Sequence, residues 1–154
     1  MALTILHIEW MTQRHYQESV KDDQELDSQF KSLLKHHWME EAQHAKLDTL
    51  LIEALSEGRS RENIATAVEQ YIEIGGFLDG GLAQQTQFDL DAFERATGRT
   101  LTAEERENLL ERQRQANRWT YLGSGMTHPN FLATLESLAP EARARVEQIA
   151  PAFC

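Results

Sequence analysis

Between Lys35 and His44 the chain reads Lys-His-His-Trp-Met-Glu-Glu-Ala-Gln-His. Three of these residues, His37, Glu41 and His44, fall on a series with Leu34, Leu47 and Leu51, at steps of 3, 4, 3, 3 and 4. Such steps trace one face of an α-helix, and an apolar face at that spacing predicts a buried seam. Imidazole and carboxylate groups in a buried seam need partners, because burying them unpaired costs on the order of several kcal/mol. A metal ion is the partner this donor set suits, since imidazole nitrogen and carboxylate oxygen are ligands for zinc, manganese and iron. On a helix the Cα atoms of His37 and His44 stand about 10 Å apart, at roughly 1.5 Å per residue. The two imidazoles therefore reach two neighbouring ions more easily than one, with Glu41 between them. Glu41 with His44 forms a Glu-x-x-His pair, the unit that di-metal carboxylate sites place on a helix.

A site of this kind needs a carboxylate from a second helix. Residues 3–20 read as that helix, followed by the polar turn Lys21-Asp22-Asp23-Gln24-Glu25-Leu26-Asp27. Asp27 is a cap for the next helix, which runs over 28–56. Folding the two helices back on each other about the turn sets residue 41 opposite residue 9, which is Glu9. The inward stripe of the first helix reads Ile5, Glu9, Thr12, Tyr16, so its one charged member is the candidate ligand. The predicted ligand set is Glu9, His37, Glu41 and His44. His15 lies about 240° around the helix from Glu9, and His7 faces elsewhere. His36 and Glu40 fall on the flank of the second helix, as hydrogen-bond partners of the ligands or as solvated residues. Tyr16 and Trp38 lie within two turns of the ligands; packing is the role assigned to both, with electron transfer or pocket lining as the alternative.

The remaining elements follow from their punctuation. No stretch alternates apolar and polar residues over a β-branched run, so no strand is predicted. Ser60 with Asn63 opens a third helix that runs to about residue 96 and stops at Gly98. Thr102 and Glu105 form a capping box for a fourth, which continues to about residue 126. Pro129 and Pro140 start two short helices, the last ending before Pro151. The predicted fold is all-α: an antiparallel bundle of four main helices plus two short C-terminal ones. It is a single domain over 1–154, with a metal-binding hairpin at 3–56 and packing helices at 60–150. Gly75-Gly76 and Gly80-Gly81 in the third helix, with Gly123 and Gly125 in the fourth, point to a close helix crossing, with a backbone opening beside a pocket as the alternative.

The composition narrows the class of partner. A net charge of -10 repels nucleic acid. No run of about 18 apolar residues is present, so no membrane span is predicted. The first residues lack a basic region and meet Glu9 early, which argues against a signal peptide. Cys154 is the single cysteine, and its solitude makes a reducing, cytoplasmic setting the default expectation. No glycine-rich nucleotide fingerprint occurs.

Glu9 followed some thirty residues later by His37-x-x-x-Glu41-x-x-His44 resembles one half of a ferritin-like di-iron carboxylate protein. The additional His four residues before the Glu is similar to the variant in p-aminobenzoate N-oxygenase-type enzymes. The resemblance rests on residues 5–52. It implies iron as the cofactor, in one or two ions, and an oxygenase or oxidoreductase acting on dioxygen and a small molecule. Manganese and zinc are the other metals considered. The family pattern also demands a second Glu and a second Glu-x-x-His, and the fourth helix, acidic from Glu104 to Glu111, contains no such motif because it has no His there. Glu73 with His128 is the weak alternative, because Glu73 sits off the apolar stripe of the third helix. Three explanations are open: a degenerate single-ion site, completion by a second chain, or a chain corresponding to the C-terminal half of a longer oxygenase-type protein. The alternative function is a non-enzymatic helical assembly, or a metal-storage or sensing module with a half-site. A zinc hydrolase with Glu40 as base fits less well, since that class places its two His four apart and here they stand seven apart. A homodimer is expected, with Trp10 or Trp38 in the interface and the two half-sites facing one another.

Overall fold

The computed structural model describes every residue from Met1 to Cys154. Helix α1 (Ala2–His15) runs on through a π-helical turn, Tyr16–Val20. α2 spans Ser28–Ser56, α3 Arg61–Thr97 and α4 Ala103–Arg118. A second π turn, Trp119–Gly123, joins α4 to the short α5, Ser124–Met126. α6 (Pro129–Leu138), α7 (Pro140–Ile149) and a terminal 3-10 turn, Ala150–Phe153, complete the chain. There is no strand, and no helix is long and apolar enough to cross a membrane.

The helix boundaries are set by local chemistry. The Asp27 carboxylate accepts from the backbone N–H groups of Gln29 and Phe30, satisfying two orphan donors at the start of α2. Ser60 accepts from Asn63 N–H at the start of α3, and Thr102 with Glu105 forms the reciprocal capping box of α4. Gly98 ends α3 at φ 65°, a left-handed conformation that costs a side chain least when it is absent. The two π turns carry no comparable signal; they shift one hydrogen-bond register inside otherwise continuous helix, as Lys21 N–H bonding back to Tyr16 O does.

Packing divides the molecule unevenly. The core lies among α1, the first half of α3, α5, α6 and α7, where Leu6, Val68, Met126, Phe131, Leu135 and Val146 are almost wholly buried. The second half of α3 pairs with α4, tied by a bidentate ion pair from Arg118 Nε and a terminal nitrogen to the two Asp79 oxygens at 2.6 and 2.7 Å. α2 buries only Ala45 and Ile52. It is held to α1 by Gln13 Nε2 donating to Trp38 O at 2.8 Å and by Tyr16 stacked on Trp38 at 5.0 Å between ring centroids.

The close crossing expected between the third and fourth helices is met only at Gly75, beside Met126 and Leu122; Gly76, Gly80 and Gly81 face open space, Gly123 packs on the C-terminal turn and Gly125 on α1. A Cβ on Gly125 would stand 2.6 Å from two ring atoms of His7, which is itself buried in the core. Gly125→Ala must displace that ring. A loss of roughly 1–3 kcal/mol is expected, read as a lowered midpoint in thermal or urea unfolding; an unchanged midpoint would contradict the contact.

Candidate metal centre

Glu9 on α1 and Glu41 and His44 on α2 each bring one ligand atom to within 4.8 Å of the others. Two features of the sequence produce this. The capped turn folds α2 back along α1, and the spacings 41 and 44 place the Glu and His of α2 on the side facing Glu9. No second group of three or more His, Cys, Asp or Glu side chains converges elsewhere in the chain. Glu73 and His128 do not form one: His128 stacks on Trp10 at 4.7 Å and its Nδ1 accepts from Asn130 N–H.

His37 stands just outside the trio. Its Nε2 lies 2.8 Å from Glu41 Oε1, while His44 Nδ1 lies 2.7 Å from Glu41 Oε2. The Glu41 carboxylate is thus held between two imidazoles, one on each oxygen, in the arrangement the 37–41–44 spacing predicts. His36 binds Ser32 O of its own helix and is exposed. His15 and Glu40 are exposed as well. Tyr16 and Trp38 pack on each other.

Burial departs from the sequence expectation. The seam Leu34, His37, Glu41, His44, Leu47, Leu51 is not covered within the chain. The His37 and His44 side chains are 51% and 49% exposed, and Leu47 is 63% exposed. Leu34 is half-buried, and Glu41, at 17%, is mostly shielded. The reason is the placement of the later helices: α3 to α7 assemble on the far side of the α1–α2 hairpin, and the seam lies on the side they leave open.

The electrostatics of the trio are those of crowded carboxylates. Partial burial, then the hydrogen bond and negative charge shared with Glu41, push the Glu9 carboxyl up to about 7. Partial burial also acts to raise Glu41, but the hydrogen bonds from Glu9 and His44 and the charge of His37 outweigh it, so Glu41 titrates low. The hydrogen bond to Glu41 raises His44 above its ordinary value. Asp48 adds to the field on Glu9. It was missed in the sequence, although 41, 44 and 48 continue the same helical face. Near neutral pH, then, Glu9 and Glu41 share a proton that a cation could replace.

That proton gives the site a pH signature. A metal must displace protons from Glu9 and from His44, so its apparent affinity should fall by about tenfold or more per pH unit below about 7. Titrating Mn(II) at pH 6, 7 and 8 checks this; an affinity that does not change would contradict it. The metal-free fold should run the other way. Groups raised in the folded state stabilise it while protonated, and that contribution is lost as pH rises through their folded values. The apo protein should therefore be less stable at pH 8 than at pH 6 through this pair.

Comparison with protein-family models, with curated proteins and with solved structures finds no match.

Proposed function

We propose that this chain is a metal-binding protein of the ferritin-like kind, with iron at Glu9, Glu41 and His44, and that it carries out redox chemistry with dioxygen. The observation that carries this reading is the convergence of two carboxylates and an imidazole from antiparallel helices within 4.8 Å, around a proton held to about 7. Carboxylate and imidazole donors with open positions suit iron that activates oxygen, and manganese or zinc fit the same donors. Glu9 and Glu41 would supply oxygen ligands and His44 a nitrogen. His37, on the other Glu41 oxygen, orients that carboxylate or takes a neighbouring ion. Bound iron would supply the one-electron steps that reduction of dioxygen requires.

A second reading is metal storage or sensing without turnover. The half-exposed imidazoles favour it, since they leave the site open to ions from solution. Oxygen uptake separates the two. Protein loaded anaerobically with Fe(II) and then exposed to air should consume dioxygen faster than free Fe(II) at the same concentration, and zinc-loaded protein should consume none. Uptake no faster than free Fe(II), at full metal occupancy, would leave the storage or sensing reading.

A further inference from the structure

The hairpin of α1 and α2 is covered on one side only. On α2, Lys46 and Thr49 meet Trp10 of α1 and Asn130 and Thr134 of α6 around one surface recess, so that edge faces the body of the protein. At about 100° per residue, Leu33, Leu47 and Leu51 point to the opposite side. All three are exposed, Leu33 and Leu47 by 63% each. Ile5 and Ile8 of α1 turn the same way and are likewise exposed. Glu9, Glu41 and His44 lie in the groove between these two apolar rows, with Leu33 towards one end of α2 and Leu47 and Leu51 towards the other.

We infer that a second copy of this chain covers this face across a two-fold axis, and that its Glu9, Glu41 and His44 complete the metal centre. The inference rests on the metal reading above. Its first support is ligand arithmetic. A di-metal carboxylate bundle uses a Glu from each of two helices and a Glu-x-x-His from each of two others. One chain supplies half of that set, and no other converging group of ligand residues exists in it to supply the rest. A two-fold axis at Glu9 and Glu41 doubles the set from α1 and α2 alone, making a four-helix bundle from two hairpins. The second support is area. Five large aliphatic side chains, each about half exposed, present on the order of 400 Å² of apolar surface, the scale of a functional patch. With the ligands and exposed imidazoles between them, the face approaches the roughly 800 Å² per partner of a standard interface. The third is self-complementarity, which a closed two-fold pair requires. The same face carries both apolar ends and the polar centre.

The tryptophans are not part of this face. Trp10 stacks on His128 and Trp38 on Tyr16, and both indole nitrogens are buried within the chain. The inferred interface is therefore built on the leucines and isoleucines, not on the Trp10 or Trp38 expected from the sequence.

Two pairs of carboxylates facing each other repel until a cation sits between them. Metal and partner should therefore strengthen each other's binding reciprocally. Light scattering coupled to size exclusion, on full-length protein treated with chelator or loaded with Mn(II), is the test. The loaded protein should run at twice the 17.7 kDa chain mass. Mn(II) should tighten the dimer on the order of tenfold or more. Leu47→Glu with Leu51→Glu changes residues already exposed in the single chain, so helicity should persist by circular dichroism while dimer and retained Mn(II) are lost together. Phe77, on α3 outside the hairpin, is 86% exposed, and Phe77→Glu should change neither. Metal-loaded protein at the single-chain mass would overturn the inference and leave the metal reading standing. A dimer indifferent to Leu47→Glu with Leu51→Glu would overturn the proposed face. A dimer that depends on those leucines but retains no Mn(II), Fe(II) or Zn(II) would overturn the shared centre together with the metal reading.

Discussion

Saturating Fe(II) or Mn(II) should raise the thermal midpoint of this protein by about 5–10 °C. The figure follows from mass action: a ligand at a hundred times its dissociation constant, bound only by the folded state, adds about 2.7 kcal/mol. For a chain of this size each kcal/mol is worth roughly 2–4 °C. The physical source is the crowding of Glu9 against Glu41, which holds the Glu9 carboxyl up near 7. A cation replaces the shared proton and removes that repulsion. The shift should be larger at pH 8 than at pH 6, because the proton competes less. It should disappear in Glu41→Ala with His44→Ala, which removes two of the three converging groups. An unchanged midpoint at saturating metal would mean that the trio holds no ion.

The second large effect lies away from the metal centre. His7 is buried, with Nδ1 2.7 Å from the Tyr71 hydroxyl and Nε2 3.0 Å from the Tyr121 carbonyl. The carbonyl can only accept, so Nε2 carries the hydrogen and Nδ1 accepts from Tyr71 O–H. Burial lowers the His7 pKa and keeps the ring neutral, against a smaller opposing effect from its Tyr121 bond. Burial pushes the Tyr71 phenol up. Phe131 packs edge-on against the His7 ring. His7→Ala opens a cavity at this junction and leaves the Tyr71 hydroxyl without its partner. A loss of about 3–5 kcal/mol is expected, which lowers the midpoint by roughly 6–20 °C. Tyr71→Phe keeps the volume and removes one hydrogen bond, so it should cost less, about 1–3 kcal/mol. Equal midpoints for wild type and His7→Ala would contradict the buried pair.

These two sites were unequally legible in the sequence. The helix ends were readable because caps act within one turn: Asp27, Ser60, Thr102 and Gly98 do their chemistry on neighbours two to four residues away. Glu9 was readable because a short turn between two helices fixes which residues face one another. His7 was not, because a buried His with two satisfied nitrogens has the same spelling as a solvated one. Its partners, Tyr71 and Tyr121, come from helices far along the chain. Gly125, packed on its ring, left a trace that was read only as a close crossing.

The α2 seam failed for a related reason. Its periodicity predicts that something covers Leu34, Leu47 and Leu51, but the pattern does not say what. Only the placement of α3 to α7 on the other side of the hairpin shows that no later helix of the chain does, and that placement depends on long-range packing around Phe131, Leu135 and Val146. The π turns at Tyr16–Val20 and Trp119–Gly123 had no signal at all, since a one-residue register shift within a helix leaves the apolar spacing nearly unchanged.

The most direct measurement is elemental analysis of protein purified without chelator and reloaded anaerobically with Fe(II), Mn(II) or Zn(II). Roughly one ion per chain is expected, the share that falls to each half of a two-ion centre, and it should be lost in Glu41→Ala with His44→Ala. Metal content below about a tenth of that share for all three ions would contradict it.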